Sequence, residues 1–105
     1  MDATSNRYFA LRDYRAKGFP EVEGWCSEAL FDIVELIDSV QVRHSIRGGV
    51  CEIGVHHGKL FLLMNAVTAP DEISFAVDVF DQQSLNIDHS GLGSMEIFRS
   101  NLILF

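Results

Sequence analysis

Six residues near the middle of the chain are of types that do chemistry at close range: Glu52, Gly54, His56, His57, Gly58 and, 20 positions after Gly58, Asp78. Glu52 lies in a short apolar run, Val50 to Ile53, that reads as a buried strand. Gly54 and Gly58 bound a turn, and an apolar helix opens at Lys59 and runs to Val67. A second run, Ile73 to Val79, reads as the next strand, with Asp78 near its end. A parallel βαβ unit of this form cradles a nucleotide. Its glycine turn lets a ligand approach the backbone, its helix N-terminus offers free N–H groups, and its acid accepts ribose hydroxyls.

Spacing separates the folds that use such a turn. A dinucleotide-binding turn needs G-x-G-x-x-G, and starting from Gly54 the chain has His56 and Lys59 where the second and third glycines belong. A P-loop needs four residues between its glycines and then Lys with Ser or Thr. Here three intervene, and Leu60 follows Lys59. What remains is E-x-G-x-x-x-G, carried by Glu52, Gly54 and Gly58. His56 and His57 invite a metal reading, but adjacent side chains in a turn point apart and no ligand set stands nearby at metal spacing. No metal is therefore expected. Glu52 could alternatively pair with a local Arg or Lys, and Asp78 could cap the loop that follows it. Asp81, Asp88 and His89 read as a solvated loop over the site.

The run Glu52-Ile53-Gly54-Val55-His56-His57-Gly58-Lys59, followed by Ala76-Val77-Asp78-Val79-Phe80 and Asn86-Ile87-Asp88-His89-Ser90-Gly91, resembles motifs I and II of the Rossmann-like S-adenosylmethionine-dependent methyltransferases. Its wording is most similar to the bacterial small-molecule and sugar methyltransferases of that superfamily, over roughly 49–102. The resemblance implies that Gly54, Val55, His56 and Gly58 wrap the methionine end of S-adenosylmethionine and that Glu52 helps fix its amino group. It also implies that Asp78 binds the ribose hydroxyls while Val79 and Phe80 flank the adenine. His56 departs from the commoner pattern, which has a glycine there, and its side chain narrows the pocket. The acceptor would be a small molecule or sugar. A full domain of this superfamily has seven strands, so the chain reads as an N-terminal α/β portion, truncated and inactive alone, whose catalytic residues would lie beyond Phe105. The competing reading is a non-catalytic α/β interaction module with a vestigial nucleotide pocket.

The elements that must position these residues follow from periodicity. Residues 1–24 form an N-terminal segment in which Tyr8 to Lys17 suits a short helix, broken by Gly18-Phe19-Pro20. Residues 25–105 form the partial cofactor-binding domain, with its core motif at 49–80. A helix is expected from Trp25 to about Val42, its stripe of Ala29, Leu30, Ile33, Val34, Ile37 and Val40 widened by Phe31 and Leu36 to lie on a sheet. Glu28, Asp32, Glu35 and Asp38 would make its solvated face. Both strands read as covered on both sides. Ser94 suits an N-cap for a last helix starting near Met95.

A formal charge of −7 with no basic run argues against nucleic acid and anionic membranes as partners. No apolar run approaches the ~20 residues of a spanning helix, and Met1 to Asn6 lack the start of a signal peptide. Cys26 and Cys51 read as reduced core thiols of a cytoplasmic protein. With two strands in place of seven, open sheet edges are expected to drive self-association.

Overall fold

The computed structural model describes residues 7–105, so the reading of Met1 to Asn6 lies outside the described residues. Helix α1 spans Phe9–Lys17 and α2 Leu30–Arg43; strand β1, Cys51–Ile53, is followed by helix α3, Lys59–Asn65; strand β2, Phe75–Val77, precedes a short 3₁₀ turn, Gln83–Leu85, and helix α4, Met95–Leu104. β1 and β2 pair in parallel with Cys51 opposite Phe75, Glu52 opposite Ala76 and Ile53 opposite Val77. The chain is thus α/β, with the expected βαβ unit at its centre.

Two apolar clusters hold these elements. The first joins Tyr8, Leu11, Tyr14 and Val22 of the N-terminal segment to Phe31 of α2, Leu62 and Leu63 of α3, and Val67. Each such side chain contributes about 1.5–3 kcal/mol by leaving water, so residues before Gly24 are integral to the core. The Tyr14 hydroxyl also donates to the Lys59 carbonyl at 2.8 Å, fixing α1 to the first turn of α3. The second cluster, Val55, Phe61, Phe80 and Phe98, brings α4 against the back of the glycine turn. Ser94 starts α4 as expected, its hydroxyl accepting from the Ile97 amide, and Asp81 accepts from the Met95 amide. Asp81 is therefore a helix cap as well as a loop residue.

Three expectations about packing are corrected. The second helix starts at Leu30, because Ser27 turns the chain first: its carbonyl accepts from the Leu30 amide and its hydroxyl from the Ala29 amide. Its buried line is Phe31 and Asp38, while Ile33, Leu36, Ile37 and Val40 are exposed. Asp38 is no solvated acid. Arg7 grips it with two donors at 2.7 and 2.8 Å, the Tyr8 hydroxyl donates at 2.9 Å, and Arg7 also reaches the Val67 carbonyl. A charged residue can face the core on these terms because every oxygen is partnered. Third, the sheet is covered on one face only. Glu52 and Ala76 turn inward, whereas Cys51, Ile53, Phe75 and Val77 are exposed, so Cys51 is not a core thiol. Cys26 is half-buried, and both cysteines are free.

Candidate functional site

The turn between β1 and α3 is built from left-handed residues. Gly54 has φ +85°, His56 +57° and Gly58 +92°, and the Gly58 amide closes the turn onto the Val55 carbonyl at 3.1 Å. The two glycines serve different ends. A Cβ on Gly58 would lie 2.8 Å from the Phe98 ring, so this glycine admits α4. A Cβ on Gly54 would meet nothing within 4 Å, so this glycine leaves space in front of the strand.

That space is part of an open cavity of about 1000 Å³ at the C-terminal ends of both strands. Gly54, His56, Asp78 and Val79 line it, with Trp25 on one side and the 85–91 loop on the other. The strand-end position is where parallel α/β sheets bind ligands. The loop is shaped by its own polar groups: the Asn86 amide donates to the Ser90 carbonyl at 2.8 Å, and Asp88 accepts from both the amide and the hydroxyl of Ser90. Gln83 donates to the Phe80 carbonyl and holds the 3₁₀ turn to the end of β2.

Asp78 does two things at once. One carboxylate oxygen accepts from the His56 amide at 2.7 Å and the other from the Phe80 amide at 2.8 Å, so it lashes the glycine turn to the loop after β2. Burial alone pushes its pKa up, but the His56, Phe80, Val55 and Val79 amides outweigh that and hold it below the usual carboxylate range. It stays ionised, with lone pairs left over for a hydroxyl donor in the cavity. Capping and cavity lining thus coexist at this residue.

Four of the residues singled out in the sequence stand behind the cavity. Val55 and Phe80 are buried in the second cluster, where Phe80 stacks on Phe98 at 5.4 Å between centroids. Gly58 sits under Phe98, and Glu52 points to the inner face of the sheet. The flanking role expected for Phe80 is replaced by a packing role. Its φ of +47° turns the side chain into the core. Among the described residues, one Glu52 oxygen is buried with no hydrogen-bond partner. Burial, and then the charge of Asp78, push its pKa up to about 7 against the pull of the Phe61 amide.

The expectation that His56 and His57 point apart is also corrected. With His56 in the left-handed region, consecutive side chains fall on the same side, and the two rings stack at 3.8 Å with an interplanar angle of 28°. His57 is 4% exposed, its backbone carbonyl is held by the Asn101 side chain at 2.9 Å, and Glu23 comes within 4.0 Å of its Nδ1. Burial, then the neighbouring His56, lower its pKa, so the ring is neutral. Sequence reading missed Trp25 and Glu23. A lone tryptophan directly after a glycine was the available signal, but the helical periodicity downstream absorbed it.

Comparison of the chain with protein-family models, with curated proteins and with solved structures found no match. Among the described residues no helix is long and apolar enough to cross a membrane.

Proposed function

We propose that the chain is the cofactor-binding part of a Rossmann-like S-adenosylmethionine-dependent methyltransferase acting on a small-molecule or sugar acceptor. The observation that carries this reading is the cavity itself. It joins Gly54, a glycine with open space before it, to Asp78, an ionised acid at the end of the parallel neighbouring strand. The E-x-G-x-x-x-G spacing supports S-adenosyl ligands over dinucleotides and triphosphates. In this reading Gly54 and His56 face the methionine end, Asp78 accepts the ribose hydroxyls, and Val79 lies beside the base. Trp25 and Ile87 add apolar surface for the adenine or the acceptor. When bound, S-adenosylmethionine would supply the methyl group of its sulfonium to the acceptor's nucleophile, the C–S bonding pair staying on sulfur as S-adenosylhomocysteine. No residue of the chain is assigned as base. Free thiols at Cys26 and Cys51 suit a cytoplasmic setting.

Calorimetric titration of S-adenosylmethionine, S-adenosylhomocysteine, NAD and ATP against the chain tests the assignment. The two S-adenosyl ligands should bind more tightly, and NAD or ATP binding best would overturn it. Hydrogen bonds to a charged group are worth about 1.5–3 kcal/mol, so Asp78→Ala should weaken binding roughly ten- to a hundredfold. A variant that melts cooperatively and binds as well as the parent would remove Asp78 from the site.

A second reading, a non-catalytic α/β interaction module with a vestigial pocket, draws on Asp78 as well. Both of its oxygens are already engaged by backbone amides, and Glu52 does not line the cavity. Failure of all four ligands to bind a well-folded chain would favour it.

A further inference from the structure

We propose that Glu23, His56 and His57 form a binding site for a divalent transition-metal ion, zinc by preference, on the flank of the cavity. One potential ligand atom from each residue lies within 4.8 Å of the others. The site is built by the backbone. The left-handed φ of His56 puts two consecutive imidazoles side by side, the Asn101–His57 hydrogen bond anchors the second from α4, and Val22, 2% exposed, seats the Glu23 segment in the core.

The independent sign of a ligand is the lack of partners. Among the described residues, neither ring nitrogen of buried His57 has a hydrogen bond, and the Nδ1 of His56 is also buried and unbonded. A buried polar group left unsatisfied is destabilising, and such groups in folded chains call for a partner. Trp25 packs on His56 at 5.4 Å between ring centroids, and Gly24, which has no side chain, stands beside the His56 Nδ1. A single cation can accept electron pairs from all three groups at once, one lone pair from each neutral imidazole and one from the Glu23 carboxylate.

Two imidazoles and one carboxylate suit borderline first-row ions, and zinc takes them at about 2.0–2.2 Å in tetrahedral geometry. Ligand atoms around such an ion stand closer together than those here, so the set must contract on binding. Glu23 supplies part of the movement, its side chain being 79% exposed. The half-buried His56 ring must also turn out of its stack on His57, because imidazole lone pairs lie in the ring plane. Three protein ligands leave a fourth position open. His56 lines the cavity, so the ion would fasten the Glu23 segment to the glycine turn and fix one wall of the pocket.

The test is a calorimetric titration of Zn²⁺ into the reduced chain, with the visible spectrum of the Co²⁺ form as a second readout. No S-adenosyl ligand is needed, so the outcome is independent of the proposed function. One equivalent should bind with Kd of about 1 µM or tighter, and Co²⁺ should give the absorption of a four-coordinate site. Glu23→Gln alters an exposed side chain and should leave the fold intact while weakening Zn²⁺ by roughly tenfold or more; His56→Asn should weaken it further. His89→Gln and Cys51→Ser should bind as the parent does. Absence of stoichiometric binding, parental affinity in both Glu23→Gln and His56→Asn, or an equal loss in either control would each overturn the proposal.

Discussion

A carboxyl group is cheap to ionise where amides surround it and costly where they do not, and the two acids of the central motif take opposite sides of that rule. Asp78 collects backbone amides and stays charged, whereas Glu52 is drawn inward with one oxygen unpartnered and a pKa near 7. The consequence for stability has a definite sign. The folded pKa of Glu52 is raised above its ordinary 4.5, so its neutral form favours folding. That contribution is fully present below about pH 4.5 and is lost as pH rises through about 7. A shift of this size corresponds to roughly 3 kcal/mol at full strength; partial solvent contact reduces it to about 1–2 kcal/mol. Glu52→Gln should therefore match the parent near pH 4.5 and exceed it by that margin at pH 8, measured by urea unfolding at both values. A constant difference between the two chains would show that Glu52 is solvated. Sequence could place this acid on a strand, because it stands in a short apolar run bounded by glycines. It could not show that the apolar neighbours Cys51 and Ile53 would face out and the acid in.

At the scale of elements, the helix and strand order was readable because glycine, proline and capping residues punctuate it. Gly18-Phe19-Pro20 ends α1, Gly58 opens α3, and Ser94 caps α4. Which face each element buries was not readable for α2. Its apolar stripe is real, but the first cluster needs Phe31, and Arg7 with Tyr8 pulls Asp38 inward against the periodicity. The glycine turn gives a sharper test, because Gly54 and Gly58 share a left-handed conformation and differ only in what lies before them. Gly54→Ala should cost about 1–2 kcal/mol of stability, the ordinary left-handed penalty, and should abolish S-adenosylhomocysteine binding by filling the space above the strand. Gly58→Ala adds overpacking against Phe98, itself about 1–3 kcal/mol, for a total of roughly 2–5 kcal/mol. Its effect on binding should follow its loss of fold. Thermal melts and calorimetry on both variants separate the roles, and equal stability losses would mean that Phe98 yields freely.

Across the whole molecule, the parallel pairing, the glycine turn and the strand-end acid were all legible, and the cavity they frame stands where that pattern requires. The stacked histidines and the open outer face were not, since both depend on backbone angles and packing partners that periodicity does not encode. The outer face bears on solution behaviour. β1 and β2 pair only with each other among the described residues, so each presents an unbonded edge. On the uncovered side Ile53 is 82% exposed and Phe75 62%, and α2 displays Leu36 at 66%. Open strand edges template intermolecular pairing, and apolar surface of this extent drives association. The charge of −7 opposes it, but by a repulsion that salt screens beyond about 8 Å at physiological ionic strength. The chain should therefore self-associate, and more strongly as salt is raised. Phe75 shares the outer face with Val77 but does not itself line the cavity, so Phe75→Lys should shift the population toward monomer and leave ligand binding in place. Light scattering after size exclusion, at low and high salt, decides the matter. A sharp monomer peak from the parent chain at both salt concentrations, with cooperative melting, would show that the exposed strand pair is stable alone and that no second copy is needed to cover it.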